Sequence, residues 1–168
     1  MKSLLLPYLA LTRFAGQVRA APKWIEPDPT RYGFQVGSLG FLIAPKLLSE
    51  VVLEPEIYPI PNTASWLKGM INLRGNVVPV YDLAVLFERT QSVGKPTVLV
   101  LDEVDKALAV MIDHLPKAVN LTQPVNELPE LPASVQAYIA QGYYDHNQIW
   151  LELNHIPFFR SLTAQIAI

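Results

Sequence analysis

Few residues in this sequence are of types that carry enzyme chemistry, and they are not spaced for it. Its three histidines share no i, i+3 or i, i+4 spacing that would place two metal ligands on one helix face: His114, His146 and His155. The acidic cluster Asp102, Glu103 and Asp105 lacks the spacing of a calcium loop and is interpreted as a hairpin tip. Cysteine is absent, which excludes disulfides, thiol nucleophiles and cysteine-held metals.

Serine chemistry is equally unsupported. The sequence has no Gly-x-Ser-x-Gly elbow, no phosphate-binding loop and no Gly-x-Gly-x-x-Gly pattern after a strand. Neither Ser65 nor Ser92 has a candidate base nearby, and the spacing from His155 to Ser161 fits no known nucleophile arrangement. The sequence therefore predicts a protein that is not an enzyme, with no cofactor and no metal.

One residue stands out for recognition rather than catalysis. Arg74 precedes Gly75-Asn76, and a Gly-Asn pair between two apolar runs is a strong signal for a tight hairpin turn. An arginine at such a turn presents a planar fork of donors to a partner. Taken alone, it could also be a solubilising turn residue. Asn72 is expected to brace the turn by bonding backbone groups.

The composition limits the classes of protein to which the chain can belong. Of its 168 residues 51% are hydrophobic, which excludes a disordered chain. Charged residues make up 17%, below the typical value of about 25%, so part of the surface is expected to be covered by a partner. The net charge is −2 and no basic cluster occurs, which argues against nucleic-acid binding. Fifteen prolines favour a fold with many turns.

The N-terminal residues are predicted to form a separate element. The apolar run 4–11 is too short to span a membrane, so no direct membrane insertion is expected. Leu11, Phe14 and Val18 recur at i, i+3 and i+7, which predicts an amphipathic helical arm over residues 1–20. The arm either docks on the protein's own core or binds a partner. Residues 21–31 are rich in proline and are interpreted as a tether to a domain at 32–168.

Beyond the tether, short strands and a few short helices alternate. Strands are predicted at 32–36, 41–44, 51–53, 69–73, 77–81, 97–101, 106–112, 118–121, 142–144 and 148–153. Helices are predicted at 62–67 with Asn62 as N-cap, at 82–87 with Asp82 as cap, at 131–139, and from 155 onward. Pro79 cannot donate to a ladder, so its strand is expected to be an edge or bulged strand.

The order of these elements repeats. Residues 69–87 and 142–159 each run from a glycine through a strand, a tight turn and a second strand into an apolar segment. Each is preceded by a hairpin, a third strand and a short helix. This order indicates a mainly β protein with a duplicated five-stranded unit, which closes most naturally as a small barrel. The continuously apolar run 98–101 implies burial on both faces.

The stretch 62–83 resembles the CheW-like domain family, the adaptors of bacterial chemosensory arrays. The resemblance rests on Asn62-Thr63, Trp66-Leu67-Lys68-Gly69, Asn72-Leu73-Arg74-Gly75 and Val78-Pro79-Val80-Tyr81-Asp82-Leu83, and on the upstream 45–51. It extends over about residues 32–160 and implies two intertwined five-stranded SH3-like barrels. Trp66 is bulkier than the family's usual residue and is expected to alter the shape of a groove.

The resemblance also implies partners and contact residues. Family members bridge the cytoplasmic tip of a methyl-accepting chemoreceptor to the regulatory domain of a CheA-like histidine kinase, without catalysis. Arg74 matches the receptor-contact arginine, and Leu48 and Glu50 match positions that line the neighbouring groove. Loops of the first barrel are the expected kinase contact, with no residue assigned.

Within the family, the chain is similar to PilI-type adaptors of the type IV pilus (twitching motility) system. The similarity lies in the N-terminal arm, residues 128–131, Tyr143-Tyr144 and the short C-terminal end. A cytoplasmic location at receptor arrays is implied. Two alternatives remain: a CheW adaptor of flagellar chemotaxis, and a β-barrel module that binds a small molecule or peptide without a kinase.

Overall fold

The computed structural model describes residues 30–88, 94–102 and 106–166. The predicted arm and all of the tether except Thr30 and Arg31 lie outside the described residues. The described part contains eleven strands and three helices. The strands are β1 Arg31–Val36, β2 Leu39–Leu42, β3 Ser49–Leu53, β4 Leu67–Leu73, β5 Asn76–Tyr81, β6 Thr97–Leu101, β7 Leu108–Met111, β8 His114–Val119, β9 Gln123–Pro124, β10 Ile139–Asp145 and β11 Gln148–Leu153. The helices are α1 Leu83–Leu86, α2 Ala133–Gln136 and α3 His155–Ile166.

The strands form two sheets whose topologies are equivalent. The five-stranded sheet has the order β3-β6-β7-β5-β4, and the six-stranded sheet has the order β8-β1-β2-β11-β10-β9. Each contains one parallel pair, β5 with β7 and β11 with β2. The mainly β fold with two intertwined units is therefore confirmed. The six-stranded sheet exceeds the expected five strands by the two-residue β9.

The repeat in the sequence does not map onto the sheets half by half. The hairpin β1–β2 comes from the first half of the chain and lies in the six-stranded sheet with β8, β10 and β11. The hairpin β6–β7 comes from the second half and lies with β3, β4 and β5. The two halves thus exchange their first hairpins, which makes the units intertwined.

The largest apolar cluster lies where the two sheets and α3 pack together. It joins Phe34 and Phe41 of one sheet to Leu99 and Val110 of the other and to Phe158 of α3. A second cluster on the five-stranded sheet holds the alternate residues of β6, Val98 and Val100. The run 98–101 is therefore buried on both faces, as its continuous apolar sequence predicts.

Two local predictions are wrong. Residues 62–67 form turns instead of a helix, and Asn62 has a φ of 60° instead of the extended backbone of an N-cap. Leu67 already belongs to β4, where it pairs with Tyr81. Pro79 lies in β5, which has neighbours on both sides and is not an edge strand, and the extra residue of the β4–β5 irregularity lies on β4, between Leu67 and Gly69. It is tolerated because β5 pairs with β7 only at Val80 and Tyr81.

The cap at Asp82 is confirmed. Its Oδ1 accepts hydrogen bonds from the backbone N–H groups of Ala84 at 3.0 Å and Val85 at 3.2 Å, at the start of α1. Its Oδ2 lies 3.1 Å from Nζ of Lys68, and its own N–H donates to the carbonyl of Trp66. This buried carboxylate thus fixes the start of β4 to the end of β5 and holds the base of the β4–β5 hairpin.

His155 introduces a pH dependence into folding. It begins α3 beside Leu47 and Leu101, and its Nε2 is buried with no hydrogen-bond partner in the described part of the chain. Burial lowers the pKa of His155, and the nearby Asp102 offsets part of that effect. As the pH falls through the ordinary value of about 6.5, the unfolded chain takes up a proton that the folded chain resists. The contribution of neutral His155 to the free energy of unfolding is therefore fully present above that pH. It declines as the pH falls from there to the folded-state pKa.

We expect the His155→Gln variant to lose less stability than the unmodified chain between about pH 7.5 and pH 5. The measurement is the urea unfolding midpoint at both pH values. His146→Gln is the control, since His146 is exposed at the β10–β11 turn. Equal changes in the two variants would contradict the assignment to His155.

Candidate functional site

The β4–β5 turn consists of Arg74 and Gly75, and Asn76 of the expected Gly-Asn pair already belongs to β5. Arg74 and Gly75 have φ values of 52° and 90°, the left-handed region that a two-residue hairpin turn requires. Oδ1 of Asn72 accepts a hydrogen bond of 2.8 Å from the N–H of Gly75. The expected bracing of the turn by Asn72 is confirmed, because this hydrogen bond joins the end of β4 to the turn. The arginine side chain is 73% exposed.

Arg74 forms a two-point ion pair with Glu50. Nη1 of Arg74 lies 2.9 Å from Oε2 of Glu50, and Nη2 lies 2.6 Å from Oε1. The two planar groups match in geometry, which makes such pairs more directional than a lysine contact. At this exposure the pair adds little to stability. The ion pair instead fixes the direction in which the two side chains point.

The ion pair also shows how the sheet is shaped. Glu50 lies on β3 and Arg74 follows β4, and these strands are the opposite edges of the five-stranded sheet. Their side chains meet only because the sheet curls until its edges approach. The six-stranded sheet curls similarly, since Thr122 beyond β8 hydrogen-bonds to the carbonyl of Tyr144 on β10. Curled five- and six-stranded sheets agree with the SH3-like units that the sequence predicts.

A groove of about 520 Å³ opens beside this ion pair. We call it the Arg74 groove; its lining residues are Leu48, Ser49, Glu50, Leu73, Arg74, Asn76, Val78, Val100, Asp102, Lys106 and Ala107. Aliphatic residues from the second cluster lie among them, and charged residues of both signs surround them. The groove can therefore take an apolar side chain and bond polar groups beside it.

The three residues expected to contact a receptor come together here. Arg74, Leu48 and Glu50 all line the Arg74 groove. Leu48 is 61% exposed, and its carbonyl accepts a hydrogen bond of 3.0 Å from the N–H of Asp102. Trp66 does not line the groove; it stacks on Tyr81 at 5.9 Å beside the main core. The expectation that Trp66 alters the groove shape is wrong for this groove.

Some lining residues were not singled out from the sequence. Lys106 and Ala107 lie at the end of the β6–β7 connection, and Val78 and Val100 belong to strands that looked like ordinary core. Asp102 was assigned only to an acidic hairpin tip. Val78 and Val100 share the second apolar cluster, but β6 is continuously apolar and has no alternation that would distinguish the face that carries Val100.

A second groove, of about 650 Å³, separates the two sheets. We call it the inter-sheet groove. Its walls come from β1 and β8 of one sheet, from β3 and β6 of the other, and from the β2–β3 connection. They include Arg31, Tyr32, Leu47, Val51, Leu99 and Leu115. Ser49 belongs to both grooves, so the two grooves share the wall that carries Leu48.

The described residues hold neither a metal-binding cluster nor a membrane-spanning helix. Residues 30–88, 94–102 and 106–166 hold no group of three or more histidine, aspartate or glutamate side chains placed to bind a metal ion. Within the same ranges, every helix is too short or too polar to cross a bilayer.

Comparison with known proteins places the chain in a family. A sequence model of the CheW-like domain matches residues 32–160. "Protein PilI" of Pseudomonas aeruginosa is 29% identical over 125 residues, which cover 71% of this chain and 68% of that protein. "Chemotaxis protein CheW" of Helicobacter pylori is 30% identical over 101 residues, or 58% of this chain and 61% of that protein.

A solved structure supports the same fold. The crystal structure of the scaffolding protein TtCheW from Thermoanaerobacter tengcongensis superimposes with a TM-score of 0.65 at 19% identity. The superposition covers 81% of this chain and 91% of that one. The matched range 32–160 spans both curled sheets and the Arg74 groove, and the chain therefore belongs to the CheW-like domain family.

Proposed function

We propose that this chain is a non-catalytic adaptor of a chemosensory array. It links the cytoplasmic tip of a methyl-accepting chemoreceptor to the regulatory domain of a CheA-like histidine kinase. The support is its membership of the CheW-like domain family, together with the chemotaxis and scaffolding roles that the names of similar proteins give. It acts in the cytoplasm, recruited to membrane-associated receptors.

The Arg74 groove is the observation that supports a receptor contact. The groove joins an oriented arginine and an exposed leucine, Leu48, within one concave surface. Arginine beside an apolar side chain is a common centre of protein interfaces. A receptor helix that places one apolar side chain in the groove and one acceptor near Arg74 would satisfy both. Glu50 holds the arginine in position for that contact.

For the output, we propose control of type IV pilus twitching motility. The support is the similarity to "Protein PilI", which extends over more of this chain than the similarity to the Helicobacter CheW. The alternative within the family is an adaptor of flagellar chemotaxis. The kinase contact is proposed at loops of the first barrel.

The adaptor transmits a signal only if one receptor state favours the bound kinase more than the other. Single contacts of this kind are weak, and many copies in an array add through effective concentration. A tight contact with the receptor alone is therefore not required. The requirement is that receptor and kinase bind different faces of the chain at the same time.

The test is isothermal calorimetry of the full chain with two partners from the same cell. One is the regulatory domain of the CheA-like kinase, and the other is the receptor tip. We expect saturable one-to-one binding to each in the micromolar range, and binding of the second partner when the first is saturating. If the folded chain binds neither partner at high micromolar concentration, the adaptor function is wrong.

A different class of function has one observation in its favour. The inter-sheet groove is lined mainly by apolar side chains and has the size of a small-molecule site. A module that binds a small molecule or peptide there would need no kinase. It would be stabilised against heating by its ligand while showing no heat of binding with the kinase domain.

A further inference from the structure

His155 lies where the two sheets meet, in surroundings that oppose a positive charge. Its Nε2 is buried without a hydrogen-bond partner among the described residues. The ring lines a cavity of about 10 Å³ whose other walls are apolar and come from β1, β2, the β2–β3 connection, β6, β11 and α3. A single water molecule needs about 10–15 Å³, so this space cannot hydrate a charged ring. His155 is also the first residue of α3, where the helix dipole disfavours a cation. Protonation of His155 therefore requires a nearby anion or a movement of the ring.

Asp102 is an anion in the right place to balance this charge. It directly follows Leu101, which lines the same cavity, and its negative charge acts on His155 through space. The elements around the cavity carry other charged residues, and none of them lines it: Arg31, Lys46, Glu152 and Arg160. Asp102 is thus the acidic group that protonated His155 would engage.

Asp102 also belongs to the Arg74 groove. Its backbone N–H donates to the carbonyl of Leu48 at 3.0 Å, and the charged residues of the groove wall are Glu50, Arg74, Asp102 and Lys106. Two acidic and two basic side chains therefore balance one another in this groove. A positive charge on the cavity side of Asp102 disturbs that balance.

We propose that the protonation of His155 is coupled to the Arg74 groove through Asp102. When His155 takes up a proton, the Asp102 carboxylate becomes its counter-charge and offsets Arg74 and Lys106 less. The groove then favours an anionic occupant more than it does beside neutral His155. By reciprocity, an anion bound in the groove makes protonation of His155 more favourable. This regulation goes beyond the proposed function and does not depend on it.

Nuclear magnetic resonance of the full chain tests the coupling. The variants His114→Gln and His146→Gln are combined so that His155 is the only histidine; both replaced residues are exposed. The ring of His155 and the backbone amides of Arg74 and Asn76 are followed from about pH 7.5 to pH 5.0, where carboxylates with ordinary pKa values near 4 stay mostly ionised. Arg74 and Asn76 line the groove and not the cavity, so they report an effect beyond the immediate surroundings of the ring.

We expect the two amides to shift with the same midpoint as the His155 ring. Adding Asp102→Asn should abolish their shift and lower the pKa of His155, because the counter-charge is lost. Asparagine tolerates the left-handed backbone of this position, where φ is 75°. Glu127→Gln is the matched control, since it removes an exposed carboxylate that lines neither the groove nor the cavity. It should leave both titrations unchanged.

Three results would overturn the proposal. The first is a ring that stays neutral down to pH 5.0. The second is a ring that titrates while the amides of Arg74 and Asn76 do not move. The third is an amide shift that persists in Asp102→Asn, because the coupling would then bypass Asp102. Adding His155→Gln should remove the amide shifts altogether, and their persistence in that variant would assign them to another group.

Discussion

Replacing Arg74 with glutamate is expected to weaken binding of the receptor tip by about tenfold or more and to leave the fold intact. The change removes the guanidinium from the Arg74 groove and places a second carboxylate opposite Glu50. Loss of a central interface arginine commonly costs more than 1 kcal/mol, and about 1.4 kcal/mol corresponds to a factor of ten. Calorimetry with the receptor tip measures the loss.

The cost to folding should be small. Arg74 is largely exposed, and ion pairs of this kind contribute about 0–1 kcal/mol. Lys95→Glu is the matched control, because Lys95 forms a similar exposed pair with Glu54 just beyond the ends of β6 and β3, and neither residue lines the Arg74 groove. The control should bind the receptor tip normally. An unchanged affinity in Arg74→Glu would refute the proposed contact, and loss of folding would make Arg74 structural.

A reversed pair separates two roles of Arg74. In the double variant Arg74→Glu with Glu50→Arg, the ion pair can reform with opposite direction. If Arg74 contacts the receptor itself, binding stays weak; this is the outcome we expect. Recovery of binding would mean that the pair only maintains the shape of the groove.

The hairpin that presents Arg74 could be predicted from the sequence because its determinants are local. Gly75 takes one of the two positive φ values of the turn, Asn72 lies three residues from the N–H it accepts, and Asp82 lies two residues from the first N–H it caps. Each of these contacts spans at most a few residues. Residue types at fixed spacing are then sufficient to predict the geometry.

The helix predicted at 62–67 failed because distant contacts determine that segment. The carbonyl of Trp66 accepts from Asp82, and Leu67 pairs with Tyr81 across β4 and β5. These bonds draw the segment into the sheet against its local preference. Pro79 shows the same limit. Whether a proline is tolerated in a strand depends on how far the neighbouring β7 extends, and the β5 sequence does not contain that information.

The residues of the candidate site could be predicted from the sequence only in part. Spacing alone does not bring Glu50 and Arg74 together, since they are 24 residues apart and on opposite edges of the sheet. Family resemblance indicated both residues, and the curl of the sheet explains why they meet. The other lining residues, such as Lys106 and Val100, depend on the exchange of the β6–β7 hairpin between the halves. That exchange is a property of the fold as a whole.

Substitution of Gly69 is expected to have the largest effect on stability. Gly69 has a φ of 141° at an irregularity in β4. A Cβ atom there would lie 2.1 Å from the carbonyl oxygen of Tyr58 and 2.9 Å from Cα of Pro59. Both are backbone atoms, so no side-chain rotation relieves the contact. The Gly69→Ala variant must push residues 58–59 away from β4.

That displacement breaks the bridge between Tyr58 and Met70. Two backbone hydrogen bonds of 2.8 and 2.9 Å join these residues, and each contributes about 1 kcal/mol. The unfavourable φ adds about 1–2 kcal/mol. We therefore expect Gly69→Ala to lose about 3–4 kcal/mol, a large part of the roughly 5–15 kcal/mol that stabilises a typical domain. Urea unfolding followed by circular dichroism measures the loss.

Gly75→Ala separates the close contact from the backbone strain. Gly75 also has a positive φ, 90°, but a Cβ atom there would meet no atom within 4 Å. Its replacement should cost about 1–2 kcal/mol, from the backbone conformation alone. The two variants together test whether the close approach of residues 58–59 is what requires Gly69. Equal losses would show that φ alone determines both positions, and the packing of Tyr58 against β4 would then have no part in selecting glycine.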